Sequence, residues 1–286
     1  RTFGFEAAEK LCDFDNEQPV LSVRTNTLQT DRESLLRELQ DCGAEAEPSR
    51  WAPEGVLIHS HGSLDALKPL QEGRCQVQDE SSMLVAHVVG PKPNEFIIDC
   101  CAAPGGKTTH LAALMHDEGR ILAGDIYDHK LLRIEENAKR LGIHIIETEK
   151  IDAREIGAEY EGMADRVLVD APCSGLGVLR RKPDARWRKT KEEIEELPAL
   201  QLAILESAAA AVKKGGVLVY STCTIELAEN QGVVSRFLEL HPEFRLETTG
   251  KFLPLPTKHR EAKMVQLLPH IDGTDGFFIC RMQKKG

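Results

Sequence analysis

Four short apolar runs, each reaching an acid, constrain this chain more than any other feature: Phe96-Ile97-Ile98-Asp99, Arg120-Ile121-Leu122-Ala123-Gly124-Asp125, Ile143-His144-Ile145-Ile146 running on to Ile151-Asp152, and Asp165-Arg166-Val167-Leu168-Val169-Asp170. Helical stretches separate them, from about Lys107 to Met115 and from Asp128 to Leu141, the second closed by Gly142. Strand alternating with helix predicts a mainly parallel sheet with helices on both faces. A fifth strand follows at Gly216 to Ser221. The helical pattern from Lys191 to Val212 contains Pro198, where a break is expected. Glu226 to Leu240 reads as helix, and Met264 to Leu268 and Gly276 to Arg281 as two closing strands.

Ahead of this region the pattern is different. Val20 to Asn26 alternates like a strand. Thr30 or Asp31 then caps a helix with Leu35, Leu36 and Leu39 on one face and Gly43 at its end. Gly55 to Ile58 and Cys75 to Gln78 read as further strands, Ser81 to Val89 as a helix, and Pro91 to Asn94 as a linker. Residues 1–92 are therefore expected to form a small N-terminal α+β domain, either simple packing or an RNA-holding appendage, and residues 93–286 the larger α/β domain.

In open α/β sheets ligands sit beyond the carboxyl ends of the strands. The first strand here runs into Cys100-Cys101-Ala102-Ala103-Pro104-Gly105-Gly106-Lys107, small residues turning into a helix whose glycines let a ligand approach the backbone. Its spacing is neither G-x-x-x-x-G-K-[ST] nor G-x-G-x-x-G, so both phosphate-cradling fingerprints are absent. A nucleoside-type ligand without a phosphate cradle suits the turn, and S-adenosylmethionine is one. A lone strand-end Asp is ordinarily a cap, but Asp99, Asp125, Asp152 and Asp170 share one sheet edge. Asp125 stands where an acid bonds ribose hydroxyls, and Asp152 would suit an adenine amino group.

Eight cysteines are present, none in C-x-x-C spacing, so neither a zinc knuckle nor a redox pair is indicated. Free cysteine is mostly a small buried hydrophobe. Cys173, in Asp170-Ala171-Pro172-Cys173-Ser174-Gly175, and Cys223, in Ser221-Thr222-Cys223-Thr224, differ because both lie on carboxyl-end loops beside the proposed nucleoside site. A thiolate there can act as a nucleophile if basic groups lower its pKa.

Together, Cys101 through Lys107, the Pro172-Cys173 loop, and Thr222-Cys223 followed by Glu229-Asn230 resemble the signature motifs of RNA 5-methylcytosine methyltransferases. Within that group the chain is most similar, from about Val20 to its end, to the bacterial small-subunit (16S) ribosomal RNA methyltransferase B (Sun/Fmu) family. The resemblance implies a Rossmann-like class I S-adenosylmethionine-dependent fold with a mainly parallel seven-stranded sheet. It implies that Cys101, Ala102, Ala103, Pro104, Gly105, Gly106, Lys107, Asp125, Asp152 and Asp170 bind S-adenosyl-L-methionine. It further implies Cys223 as nucleophile and Cys173 as the aid to product release, while Asp170 supports the cytosine ring on chemical grounds. The family's N-terminal NusB-like domain is not visible in the sequence, which with Arg1 as first residue fits a truncated chain or a shorter relative. A DNA cytosine methyltransferase using Cys173, or an idle S-adenosylmethionine- and RNA-binding assembly factor, are the competing readings.

The densest basic stretch, Leu179 to Lys189, directly follows the Pro-Cys loop. Arg180, Arg181, Arg186 and Arg188 are expected on backbone phosphates, Trp187 on a base, and Lys107 on substrate. The target base has to be single-stranded or flipped out. Lys251, Lys258, Arg260 and Lys263 would extend the track, while His270 and Asp275 are read as structural. A net charge of −10 argues against RNA binding over the whole surface. No apolar run nears the ~18 residues that span a bilayer, and no signal peptide opens the chain. A cytoplasmic, monomeric enzyme with free thiols, no metal and ribosomal RNA as its partner is expected.

Overall fold

The computed structural model describes residues 3–63 and 67–286. Helix α1 (Phe5–Asn16) leads into β1 (Leu21–Thr25), α2 (Arg32–Asp41), β2 (Glu45–Pro48), β3 (Gly55–Ser60), α3 (Lys68–Gln71) and β4 (Cys75–Val77). The four strands form an antiparallel sheet in the order β2-β3-β1-β4. The Asp31 carboxylate caps α2 by accepting from Ser34 N at 2.8 Å, and Leu35 and Leu39 pack on Val23, Val56, Ile58 and Cys75 of the strands. Strand β2 escapes a reading by alternation because Glu45-Ala46-Glu47-Pro48 is a polar edge that buries nothing fully.

Helix α4 (Glu80–Val89) is capped by Asp79 at one end and by left-handed Gly90 at the other. Met83, Leu84, Val85, Ala86, Val88 and Val89 are all buried, so the helix is a core element. It lies against the second sheet.

That sheet is built from β5 (Phe96–Asp99), α5 (Gly106–Leu114), β6 (Arg120–Asp125), α6 (Asp128–Leu141), β7 (Ile146–Lys150), α7 (Ile156–Glu159) and β8 (Ala164–Asp170). It continues with α8 (Ala185–Arg188), α9 (Lys191–Ala211), β9 (Val212–Thr222), α10 (Val233–Leu240), β10 (Phe244–Leu246), β11 (Met264–Leu267), α11 (Pro269–Asp272) and β12 (Phe277–Lys284). Seven strands run in the order β10-β12-β9-β8-β5-β6-β7, with β11 also paired to β12. The five from β9 to β7 are parallel, and β12 runs antiparallel to β9. The fold is the expected Rossmann-like α/β fold with a small N-terminal domain. After β5 the chain works outward through β6 and β7, then returns to β8 on the other side of β5. The loops following β5 and β8 diverge there, opening a crevice.

Three elements differ from the sequence reading. The third strand lies at Ile146–Lys150, because Ile143 is spent on closing α6, its amide donating to Ala138 O. Helix α9 runs unbroken through Pro198, and a capping box between Thr190 and Glu193 secures its start. One amide lost at Pro198 does not outweigh the burial of Ile204, Leu205, Ala208 and Ala209 further along. The helix expected from Glu226 begins as a π-helical turn at Ala228–Gly232 before α10, with Glu229 and Asn230 buried.

Candidate active site

Residues of β5 and β8 floor the crevice. Asp99 is fully buried, and its Oδ2 accepts from Thr108 Oγ1 at 2.8 Å while Oδ1 has no partner among the described residues. Burial, against that hydrogen bond, raises its pKa to about 7. The peptide before Pro104 is cis. Gly105 starts α5 with φ at +96°, and a Cβ there would stand 3.2 Å from Ile134 Cα of α6, so this glycine serves packing. Gly106 faces open space, its nearest neighbour being Gln78 at 3.9 Å. The crevice is lined by Cys101, Ala102, Ala103, Pro104, Gly106, Lys107 and Asp170, with Val178, Lys182, Cys223 and Phe277 opposite.

Asp125 and Asp152 stand outside that lining. Asp125 ends β6 with its Oδ1 accepting from Tyr127 N at 3.1 Å and Lys130 at 3.5 Å. The Asp152 carboxylate is held by Arg154, whose Nη2 lies 2.5 Å from Oδ2, and this hydrogen bond depresses its pKa. Asp99 to Asp170 thus share a sheet edge, but only Asp99 and Asp170 reach the same space.

Cys173 follows β8 and Cys223 follows β9, and their sulfurs lie 3.4 Å apart. The Cys173 thiol hydrogen-bonds Cys223 Sγ; this contact, reinforced by Lys107 and Lys182, holds the Cys223 pKa below that of an ordinary thiol, against burial and Asp170. The same contact, together with burial, pushes the Cys173 thiol well up. The pair is thereby polarised: Cys223 is the readier thiolate and Cys173 the proton-holding neighbour. Lys107 Nζ sits 2.8 Å from Asp170 Oδ2 and 5.1 Å from the Phe277 ring centre, while Asp170 Oδ1 accepts from Ser221 Oγ at 2.7 Å. Burial works to lower the Lys107 pKa, but the Asp170 carboxylate outweighs it and keeps the ammonium charged.

The basic stretch divides. Arg180 Nε contacts buried Asp275 at 3.1 Å and its guanidinium stacks 4.5 Å over Phe14. Arg181 bridges Asp275 at 2.6 Å and Asp79 at 2.7 Å. Arg186 donates to Asp15 O at 2.7 Å and Asn16 Oδ1 at 2.9 Å, the end of α1. These three arginines tie α1 and the small domain to the Pro-Cys loop. Arg188 is exposed beside Asp184, and Trp187 is 88% exposed. Lys182, not singled out from the sequence, lines the crevice with no ion pair among the described residues. Lys251 pairs with Glu261 at 3.5 Å and Lys258 with Asp272 at 2.9 Å, and Asp275 is a buried partner of arginines at the crevice.

Arg24 also went unseen. It is 1% exposed and donates to Gln78 Oε1, to Gly106 O at 2.6 Å and to Thr109 Oγ1 at 3.0 Å, joining β1 to the turn after β5. Nearby, Glu54 Oε1 lies 2.9 Å from Nε2 of both His87 and His110. No periodicity marks either cluster, since their members come from both parts of the chain.

Comparison with known proteins adds a second line. Residues 86–283 match the family model described as 16S rRNA methyltransferase RsmB/F, and residues 1–65 match an RsmF/B-like ferredoxin-like domain. A probable ribosomal RNA small subunit methyltransferase B of Bacillus subtilis is 44% identical over 99% of this chain. The chain spans 64% of that relative's length. NSun6 from Pyrococcus horikoshii, solved with SFG, superposes with a TM-score of 0.87 at 27% identity, covering 99% of this chain and 96% of that one. A methyltransferase homolog protein from the same organism gives 0.83 at 30% identity, covering 98% and 91%.

Proposed function

From the chain's membership of the 16S rRNA methyltransferase RsmB/F family, we infer that it methylates C5 of a cytosine in RNA, a carbon too weakly nucleophilic to take a methyl group without covalent activation by Cys223. The cofactor is S-adenosyl-L-methionine, which when bound supplies an electrophilic methyl group. The Cys101–Lys107 turn and Asp99, whose Oδ1 has no partner among the described residues, make a fitting set of polar groups for a nucleoside with no phosphate.

Cytosine C5 is a weak nucleophile. Addition of the Cys223 thiolate to C6 moves electron density through the ring to C5 and splits one hard step into easier ones. Charge then develops toward N3 and O2. The Lys107 ammonium in the crevice offsets it, and the Asp170 carboxylate accepts from the exocyclic amino group. After C5 gains its carbon, its proton leaves to a base and the C6–S bond breaks. The electron pair returns to Cys223 Sγ, where the Cys173 thiol, 3.4 Å away, stabilises the departing thiolate by hydrogen bonding. Lys182 in the crevice wall, and Arg188 and Trp187 outside it, are groups that can meet RNA.

The polarised sulfur pair beside the Lys107–Asp170 ion pair carries this reading. Its test uses RNA containing 5-fluorocytosine, whose fluorine cannot leave as a proton does and so traps the adduct. Cys223→Ala loses all covalent complex and lowers methyl transfer by at least roughly 10⁴-fold. Cys173→Ala still forms the complex but accumulates it with ordinary cytosine RNA. The reverse pattern assigns attack to Cys173, as in a DNA-type enzyme, and absence of transfer by the unaltered chain leaves a binding factor.

A further inference from the structure

Glu229 is fully buried behind the two cysteine loops, in the π-helical turn between β9 and α10. It touches neither sulfur. Its Oε2 accepts from Ser174 N at 2.9 Å, the amide just past Cys173, and from Gln201 Nε2 of α9 at 2.8 Å. Its Oε1 faces Thr224 Oγ1, the residue just past Cys223, at 3.5 Å. Ser174 Oγ and Thr224 Oγ1 lie 2.7 Å apart, so the two loops are joined directly as well. The same Gln201 amide donates to Pro172 O at 2.9 Å, holding the Pro-Cys loop on its other flank. The turn itself is pinned from two sides: Tyr220 OH donates to Glu229 O at 2.7 Å, and Asn230 Nδ2 donates to Thr224 O at 3.0 Å.

We propose that Glu229 is a positioning residue that sets the separation of the Cys173 and Cys223 sulfurs, by fastening the residue after each cysteine to one carboxylate. A buried carboxylate needs several donors to offset its lost hydration, and here those donors belong to the two loops that carry the reacting thiols. Mutual support of this kind fixes loops that would otherwise move independently. The cysteines reside on separate strands' ends, and no covalent link sets their distance. The proposal rests on the reading of Cys223 and Cys173 as working partners, yet its geometric content is measurable without RNA.

The experiment compares the unaltered chain, Glu229→Ala and Glu229→Gln. Diamide oxidises two adjacent thiols to a disulfide, both hydrogens passing to its azo bond, and the rate of the Cys173–Cys223 link is read by peptide mass. Glu229→Ala should slow that link at least 10-fold and lower kcat for methyl transfer by about 10- to 100-fold, with KM for RNA changed less than about 3-fold. Glu229→Gln should recover both to within about 3-fold, because its amide oxygen can still accept from Ser174 N and Gln201 Nε2 while its NH₂ faces a hydroxyl. A folded Ala variant with unchanged linking rate and kcat overturns the proposal, as does a loss confined to KM. Should that variant fail to fold, Gln201→Ala, which removes one of the same donors, must slow linking in the same direction, and an unchanged rate again overturns it. If the unaltered chain links fast but transfers no methyl group, the functional reading fails while the positioning role stands or falls on the linking rates alone.

Discussion

In the mechanism proposed, Cys223 attacks a pyrimidine only as a thiolate, so the groups around it bear directly on rate. The hydrogen bond from Cys173 is the largest influence lowering its pKa, and Lys107 and Lys182 add to it against burial and Asp170. Because the thiolate fraction rises with pH and reaches half at the pKa, a lowered pKa moves reactivity toward acid. Alkylation of Cys223 by iodoacetamide should therefore have its midpoint below the ~8.5 of an ordinary thiol. Cys173→Ala removes the favourable hydrogen bond and should shift that midpoint upward. Lys107→Met should do the same, since it removes a cation and leaves Asp170 without its partner. A midpoint unmoved by either change, followed by mass spectrometry of the Cys223 peptide across pH, would contradict the polarisation of the pair.

The two loops also depend on elements that never touch a substrate. Gly177, in the Pro-Cys loop, donates to Cys223 O at 3.0 Å, and Gly276 N, at the entry to β12, donates to Gly177 O at 2.7 Å. A Cβ at Gly177 would lie 2.0 Å from Gly276 O and 2.9 Å from Cys223 O, both backbone atoms that cannot swing aside. Gly177→Ala should displace the loop and cost about 1–3 kcal/mol of stability. It should also lower kcat by roughly 100-fold, which denaturant titration and single-turnover kinetics would measure side by side. This contact also shows what a sequence carries and what it omits. Strands β5, β6, β8 and β9 and helix α6 were legible because apolar runs and caps are local signals, and the three motifs lay on the loops after β5, β8 and β9. The packing of β12 between β9 and the two short strands β10 and β11 is a pairing between distant segments, invisible to periodicity. Arg180, Arg181 and Arg186 read as an RNA track for the same reason: their acceptors, Asp275, Asp79 and Asp15 O, lie 94 to 171 residues away along the chain.

Across the whole molecule, 36 basic against 46 acidic side chains give the surface a net charge of −10, which repels a polyanion everywhere except where unpaired cations gather. Arg180, Arg181 and Arg186 are consumed by the junction between α1, the small domain and the Pro-Cys loop. The small domain is further locked by Arg24 on the turn after β5 and by Asn26 Nδ2, which donates to Gly73 O and Leu141 O at 2.8 Å each. The acidic whole and the committed arginines together leave few cations for RNA, so its affinity should depend only modestly on salt. For single strands, log affinity falls by about 0.7 per phosphate for each decade of salt. A slope near −1.5 to −3, for two to four contacts, is the expectation. Lys182→Ala should reduce its magnitude by about 0.7. Trp187→Ala should weaken binding by about 1–3 kcal/mol through lost stacking while leaving the slope unchanged. Fluorescence anisotropy with a labelled single-stranded RNA over a salt series separates these effects. A slope of about −4 or steeper would mean that the arginines now paired to Asp79 and Asp275 exchange those carboxylates for phosphates, and the junction would then have to open when RNA binds.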